Sequence, residues 1–395
     1  MRKTSKELQE LMKKEGVDKI WSWSKINTFL NSPYEYYLKY IKKIPEDRAN
    51  SIYTTTGSIA HNILEKLYTK AIKYEDMIDE YNDGWTTAFD IANLKFDRND
   101  EEKNQSIAEG YYENLKHFFL NHTVLKEKVL IEQFAKIMIN GNLLQGYIDA
   151  SFKDKDDCYT IVDFKTSTIY TGKKADKECG QLAIYALSFN QQGIPLDKIK
   201  ICWNFLKYVT IQYEQKNGTI KTRNVERKKI GESLQSNAKM WLKAQGYEDE
   251  LDDYLKQMID TNDIKCLPDD VKSKYIISDC YVYVPVTESL IKHWYDLVAN
   301  TIKDIELREK DYEETHNDKV FYDTEESIKE QNYYLSTLCG YSANLHKPYK
   351  AYLDKLEAAK NGSDLYSGVG SDTDITSKDI HNNDSSLDMS WLNDI

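Results

Sequence analysis

Proline is scarce, with 6 in 395 residues, and no run of apolar residues comes near the roughly 20 that a membrane-spanning helix needs. A membrane partner is therefore not expected. The six cysteines, at positions 158, 179, 202, 266, 280 and 339, form no C-x-x-C pair, so zinc ribbons and disulfide frameworks are excluded and free thiols are expected. No G-x-x-x-x-G-K-[ST] loop occurs, which excludes an ATP-driven motor within the chain and any nucleotide cofactor of that kind. A basic excess is also missing. The net charge is -12, and a protein that coats nucleic acid over its whole surface would carry the opposite sign. The opening MRKTSKELQELMKKEG is basic and helical in pattern but lacks the apolar stretch and cleavage site of a secretory signal, so a cytoplasmic location is expected.

Half of the acidic excess lies at one end. Residues 361–395 carry seven Asp against Lys378 alone, a net charge of -6. With few large apolar residues this stretch reads as a disordered acidic tail. Its last residues, SSLDMSWLNDI, set Leu387, Met389, Trp391, Leu392 and Ile395 among Asp. Such an end suits a docking peptide for a partner, or it is simply an unstructured terminus.

Before the tail, periodicity divides the chain into four parts: a helical segment over 1–56, a core over 57–220, a mainly helical region over 221–360, and the tail. Ile59, Ile63 and Leu67 recur at helical spacing and carry His61 beside them. Between residues 128 and 165, VLIEQFAKIMI, LLQGYIDASF and CYTIVDFKT read as three strands of a β-meander, separated by Asn, Gly and Asp turns. A helix over about 177–192 and a β-rich run, IKICWNFLKYV, follow.

Asp163 and Lys165 are two apart on a strand, so they project from one face, and pairing with the preceding strand brings Asp149 beside them. Two carboxylates and an amine then share a pocket. Carboxylate oxygens are ligands that Mg²⁺ favours, and such an ion activates water and neutralises a phosphate oxygen. D-x-K alone also occurs by chance on exposed strands. The ordered set around it is more specific: G-S-I-A-H at 57–61, E-Q-F at 132–134, G-Y-I-D at 146–149, I-V-D-F-K at 161–165 and G-Q-L-A-I-Y at 180–185.

In that order the chain resembles the RecB-like exonuclease branch of the PD-(D/E)XK nucleases, which includes AddB-type and CRISPR-adaptation enzymes. The resemblance implies an α/β, restriction-endonuclease-like mixed sheet flanked by helices, with helical additions at both ends. It implies metal ligation by His61, Asp149, Asp163 and the Phe164 carbonyl, with Lys165 acting on the attacking water. Glu132 matches a frequent upstream acidic position. Gln181 and Tyr185 match the branch's Q-x-x-x-Y helix, where they steady Lys165 or touch the DNA backbone. Each also has a plainer reading, His61 as a half-buried core histidine and Gln181 and Tyr185 as packing residues. The ion is Mg²⁺ or, because imidazole suits a softer metal, Mn²⁺.

Many members of that branch hold an iron-sulfur cluster through one Cys before the core and three after it. Here Ser32 precedes Pro33 where the first Cys would stand, and Cys339-Gly340-Tyr341 looks like the remnant of the second group. One thiolate cannot replace four, so no iron-sulfur centre is expected. Arg223, Arg227, Lys228 and Lys229 form the best basic strip for a phosphate backbone, or a solvated helix start. The expected function is a metal-dependent DNA exonuclease of replication, recombination or repair, in a bacterium or a phage-infected cell. A separate helicase, single-strand-binding protein or recombination protein would dock through the tail. The alternatives are a non-catalytic nucleic-acid or partner-binding module on the same fold, and a structure-specific DNA or RNA endonuclease.

Overall fold

The computed structural model describes residues 2–48, 52–97 and 100–366, with side chains described as far as residue 359. The tail beyond 366, and the docking segment read there, lie outside the described residues. The order of elements begins α1 (Ser5–Glu15), β1 (Ile20–Ser22), α2 (Trp23–Asn31), α3 (Pro33–Tyr36), α4 (Ile52–Tyr68), α5 (Met77–Trp85) and α6 (Glu101–Asn121). The meander follows as β2 (Leu130–Ile139), β3 (Asn142–Lys153) and β4 (Tyr159–Lys165), then α7 (Gly172–Glu178), α8 (Gly180–Gln191), β5 (Ile199–Glu214) and β6 (Ile220–Glu226). The remainder is α9 (Ile230–Ala244), α10 (Leu251–Thr261), α11 (Asp269–Lys272), β7 (Tyr275–Val284), α12 (Glu288–Thr315), α13 (Glu325–Glu330) and α14 (Lys347–Tyr366). Among the described residues no helix is long and apolar enough to cross a membrane. All six cysteines are free.

The seven strands form one mixed sheet flanked by helices, the α/β architecture that the resemblance implied. β2, β3 and β4 pair antiparallel in sequence, as the alternating pattern required, and β4 pairs parallel with β5. The sheet also draws β1, β7 and all but the first residue of β6 from outside residues 57–220. β5 is its longest strand. Its first half lies between β4 and β7 and its second half between β6 and β7, with a register slip from Asn204 to Val209.

Three apolar cores follow from this arrangement. α4 buries Ile52, Ala60, Ile63, Leu64 and Leu67 with α5 and α6 against Val162, Phe164 and Cys202. α8 is buried on nearly every side between the sheet and α12, and only Gln181 breaks a run of buried residues from Gly180 to Phe189. A smaller core joins α9, α10 and α11 to the second half of β5.

A polar clasp ties α3 to the C-terminal helices. Ser32 caps α3 by accepting from the Glu35 N–H at 3.1 Å, and its hydroxyl donates to Asp323 Oδ2 at 3.0 Å. His346 Nε2 lies 2.9 Å from the same hydroxyl. Since His346 Nδ1 accepts from the Tyr349 N–H, the ring proton is on Nε2 and is donated to Ser32. Ser32 and His346 are wholly buried. Nearby, Glu35 accepts from the Tyr334 hydroxyl at 2.7 Å, and Arg48 donates to the Leu335 and Cys339 carbonyls. Ser32, read above as standing in a cysteine's place, thus belongs to a hydrogen-bonded network.

Candidate active site

Asp163 and Lys165 come from alternate positions near the end of β4, on the face that carries Trp203 and Phe205 of β5. Lys165 Nζ lies 2.6 Å from Asp163 Oδ2. Asp149 on β3 accepts from the Phe164 N–H at 3.0 Å, which fixes its carboxylate beside the same strand end. His61 arrives from α4 on the other side of the sheet, with Nδ1 3.5 Å from Asp149 Oδ2 and Nε2 2.8 Å from the Phe164 carbonyl oxygen. Side-chain exposure falls from 35% for His61 and 25% for Lys165 to 13% for Asp149 and 6% for Asp163. The carboxylates therefore lie at the bottom of the cluster and the two nitrogen bases at its opening.

Burial and charge pull against each other here. Burial would lower the His61 imidazolium, but the Asp149 carboxylate, then Asp163 and the Phe164 carbonyl, hold it up at about 9. Burial would likewise lower Lys165, yet Asp163 raises it above its ordinary value. Asp149 stays below the usual carboxylate range despite burial because His61 and Lys165 favour its anion. Asp163 is pushed up to about 6, by burial first and by the Asp149 charge, against the pull of Lys165. Two carboxylates with one ammonium and one imidazolium leave the cluster close to neutral.

The donor set suits a divalent cation. Asp163 Oδ2 is buried and, apart from the Lys165 charge, accepts no hydrogen bond among the described residues. Two carboxylates, an imidazole and a backbone carbonyl are the oxygen and nitrogen ligands that Mg²⁺ and Mn²⁺ accept. Among the described residues no three His, Cys, Asp or Glu side chains are gathered into a finished cage. His61 Nε2 is instead turned to the Phe164 carbonyl, so a proton joins two groups that an ion would bring under its own charge.

The supporting residues are placed by α8 and β2. Gln181 Nε2 donates to the Tyr185 hydroxyl at 3.3 Å, which donates to the Tyr147 carbonyl at 2.9 Å, two residues before Asp149. Gln181 and Tyr185 thereby brace the stretch of β3 that carries Asp149. Gly146 makes this possible, because a Cβ there would lie 2.5 Å from the Tyr185 ring. Glu132 falls opposite Asp149, between the registered pairs Ile131↔Ala150 and Gln133↔Ile148, and its φ of +49° is unusual for a non-glycine residue within a strand. Its carboxylate accepts from Arg2 Nε at 3.0 Å.

Of the predicted basic strip, Arg223, Lys228 and Lys229 are exposed and Arg227 is buried. Arg227 is 1% exposed, donating to the Leu206 carbonyl and paired with Asp279, which also holds His122. Arg223 folds back on the Ser233 carbonyl and the Tyr213 ring, and Lys229 leans toward Glu226. Residues 227–229 form a single tight turn of about three residues, so consecutive side chains diverge by roughly a third of a circle. Tyr170 was not singled out in the sequence. It packs edge-on to Trp203 and Phe205, the latter paired in register with Lys165, and takes a hydrogen bond from Ser167. Its aromatic character alone gave no sign of this.

One curated relative, an uncharacterized protein of Rickettsia bellii (strain RML369-C), is 25% identical over 190 residues, which is 47% of this chain. The match covers 20% of that protein's length. The family model of the PD-(D/E)XK nuclease superfamily matches residues 20–269, from β1 through the metal-ligand candidates and the whole of β2 to β6. The paired carboxylates and lysine on adjoining strands thus lie within a matched stretch covering most of the chain, which belongs to the PD-(D/E)XK nuclease superfamily.

Proposed function

We propose that the protein is a Mg²⁺- or Mn²⁺-dependent DNA exonuclease of the RecB-like branch, acting in replication, recombination or repair, with Asp149, Asp163 and Lys165 as its catalytic centre. The observation that carries this reading is the buried Asp163 Oδ2, which has Lys165 beside it and Asp149 on the adjoining strand. An ion held by Asp149, Asp163, the Phe164 carbonyl and His61 would supply Lewis acidity and a water of lowered pKa.

The residues of the chain divide the remaining work. Lys165 is held in its ammonium form, so it acts as a hydrogen-bond donor that orients water or a phosphate oxygen and not as a base. The Phe164 N–H fixes Asp149, and the Gln181–Tyr185 pair fixes the strand that bears it. The exonuclease assignment rests on the resemblance in motif order, with His61 on the helix before the sheet and Gln181 and Tyr185 on the helix after it. A helicase or recombination protein as partner rests on the sequence of the tail.

The test is degradation of end-labelled linear and closed circular DNA, single- and double-stranded, with Mg²⁺, Mn²⁺ or EDTA. Metal-dependent loss of linear substrate alone, abolished by Asp163→Ala and by Lys165→Ala, is the expected result. Cutting of circles would replace it with a structure-specific endonuclease. Binding without mutant-sensitive cleavage would leave a nucleic-acid-binding module.

A further inference from the structure

We propose that Arg2 and Lys3 form a clamp for the nucleic-acid backbone on the rim of the metal site, an inference that rests on the nuclease reading above. These residues precede α1, and they are held by the two strands that position Asp149. Arg2 Nε donates to Glu132 Oε2 at 3.0 Å, and the guanidinium carbon lies 5.4 Å from the centroid of the Tyr147 ring. The Lys3 N–H donates to the Tyr147 hydroxyl at 2.6 Å, and Lys3 Nζ stands 4.9 Å over the Phe134 ring, which packs edge-on to Tyr147. Glu132 lies opposite Asp149 in the register, and Tyr147 is two residues before it. Glu65, one turn beyond His61 on α4, is also within electrostatic reach of Arg2.

The contacts of Arg2 leave its binding edge open. With Nε engaged by Glu132, the two terminal nitrogens have no partner among the described residues, and the side chain is 74% exposed. That forked edge matches the geometry of a phosphate. Lys3 is 32% exposed, with Glu7 3.8 Å from its amine.

Charge explains why such a clamp is needed. Glu65 and Glu132 would repel a polyanion approaching two further carboxylates in a chain of net charge -12. Residues 2–15 carry five cations against three carboxylates, a local excess of +2. α1 buries none of its residues, and its Glu15 pairs with Lys136 of β2 at 2.9 Å. The segment is thus laid on the outside of the strands, where it can meet a substrate strand without disturbing a core.

The test measures binding of short fluorescein-labelled single- and double-stranded DNA by anisotropy in EDTA, across a salt series, using the full chain. The double variant Arg2→Ala/Lys3→Ala should weaken binding about tenfold and reduce the slope of log affinity against log salt by about one to two. Lys13→Ala/Lys14→Ala removes the same charge from the far end of α1 and should change affinity less than about twofold. All four side chains can be removed without opening a core, and melting curves would verify the fold. Equal weakening by both pairs would overturn the clamp in favour of bulk charge. Unchanged or tighter binding in the first pair would also overturn it, the latter making the segment a cover over the site. Failure of the unaltered protein to bind either DNA in EDTA would overturn the clamp, whereas the nuclease reading is decided separately by metal-dependent cleavage.

Discussion

Two clusters of similar composition sit in this molecule, and the same burial leads to different outcomes in them. At the candidate active site His61, Asp149, Asp163 and Lys165 face one another, and opposite charges overcome desolvation so that histidine and lysine are held in their charged forms. In the clasp Ser32, Asp323 and His346 also meet, but no cation faces the carboxylate closely. Burial there pushes Asp323 up to about 7 and His346 down to about 4. One cluster holds its histidine and lysine charged, and the other shifts its histidine and aspartate toward their neutral forms. The difference is pairing, because a buried ion persists only where another ion or several hydrogen bonds offset its lost hydration. Anions kept in this way suit the dication proposed for the first cluster, whereas a cluster that only joins chain segments does better neutral.

The largest effects should separate the two clusters by assay. Asp163→Ala and Lys165→Ala should each lower DNA cleavage on the order of a thousandfold or more while leaving the protein folded, as removal of preorganised charge at a reacting phosphate does. Asp323→Ala should reverse that profile, lowering stability by about 1–3 kcal/mol through stranded partners while cleavage by the folded fraction is retained. Denaturant melts and cleavage rates on the same preparations decide this. An Asp323 variant that is folded and inactive would break the comparison.

A smaller effect should appear in the pH dependence of the metal-free protein. His61 is raised to about 9 from an ordinary value near 6.5, so its stabilising contribution is complete below about 6.5 and is lost as pH rises through about 9. The stability gap between the unaltered protein and His61→Ala in EDTA should therefore be widest at pH 6 and close by pH 9.5, as scanning calorimetry would record. A gap that stays constant would mean that His61 is not charged in the folded state.

The clasp contains two opposed titrations. Asp323 contributes stability that is present below about 4 and lost as pH rises through about 7, whereas His346 contributes stability that is present above about 6.5 and lost as pH falls through about 4. Between pH 4 and 6.5 the two slopes oppose one another. Asp323→Asn leaves only the histidine, so its melting temperature should climb with pH across that window more steeply than that of the unaltered protein. Parallel profiles would show that the pair does not titrate as two neutralised groups. The smallest effect belongs to Lys229→Ala, which removes an exposed lysine 3.9 Å from Glu226 and should alter DNA affinity less than about twofold.

The legible parts of the sequence were those with a local period or a spaced motif. Alternation disclosed β2 to β4, and the two-residue spacing of Asp163 and Lys165 disclosed their shared face. The helix after β4 was legible only as one unbroken piece, since α8 is buried from Gly180 to Phe189 except at Gln181 and so gives no amphipathic stripe. Arg227 misled because a run of basic residues reads as surface, whereas its partner Asp279 lies 52 residues further on. Arg2 and Tyr170 left no local trace, since what matters in each is the strand they meet. The missing cysteine at Ser32 was visible, but not the histidine and aspartate that meet it there.

The clasp has a bearing on how the protein is made. Ser32 and His346 are 314 residues apart in sequence, so the ring of chain they close is among the longest this molecule could form. Strand pairings of the meander can form while the ribosome is still translating, but this closure must wait until residue 346 has emerged from the exit tunnel. Contacts of such separation come late and slowly because so much chain must be confined first. Ser32 at the start of α3 is therefore expected to meet Asp323 and His346 after the sheet is built, which makes the clasp a final fastening and not a seed for folding.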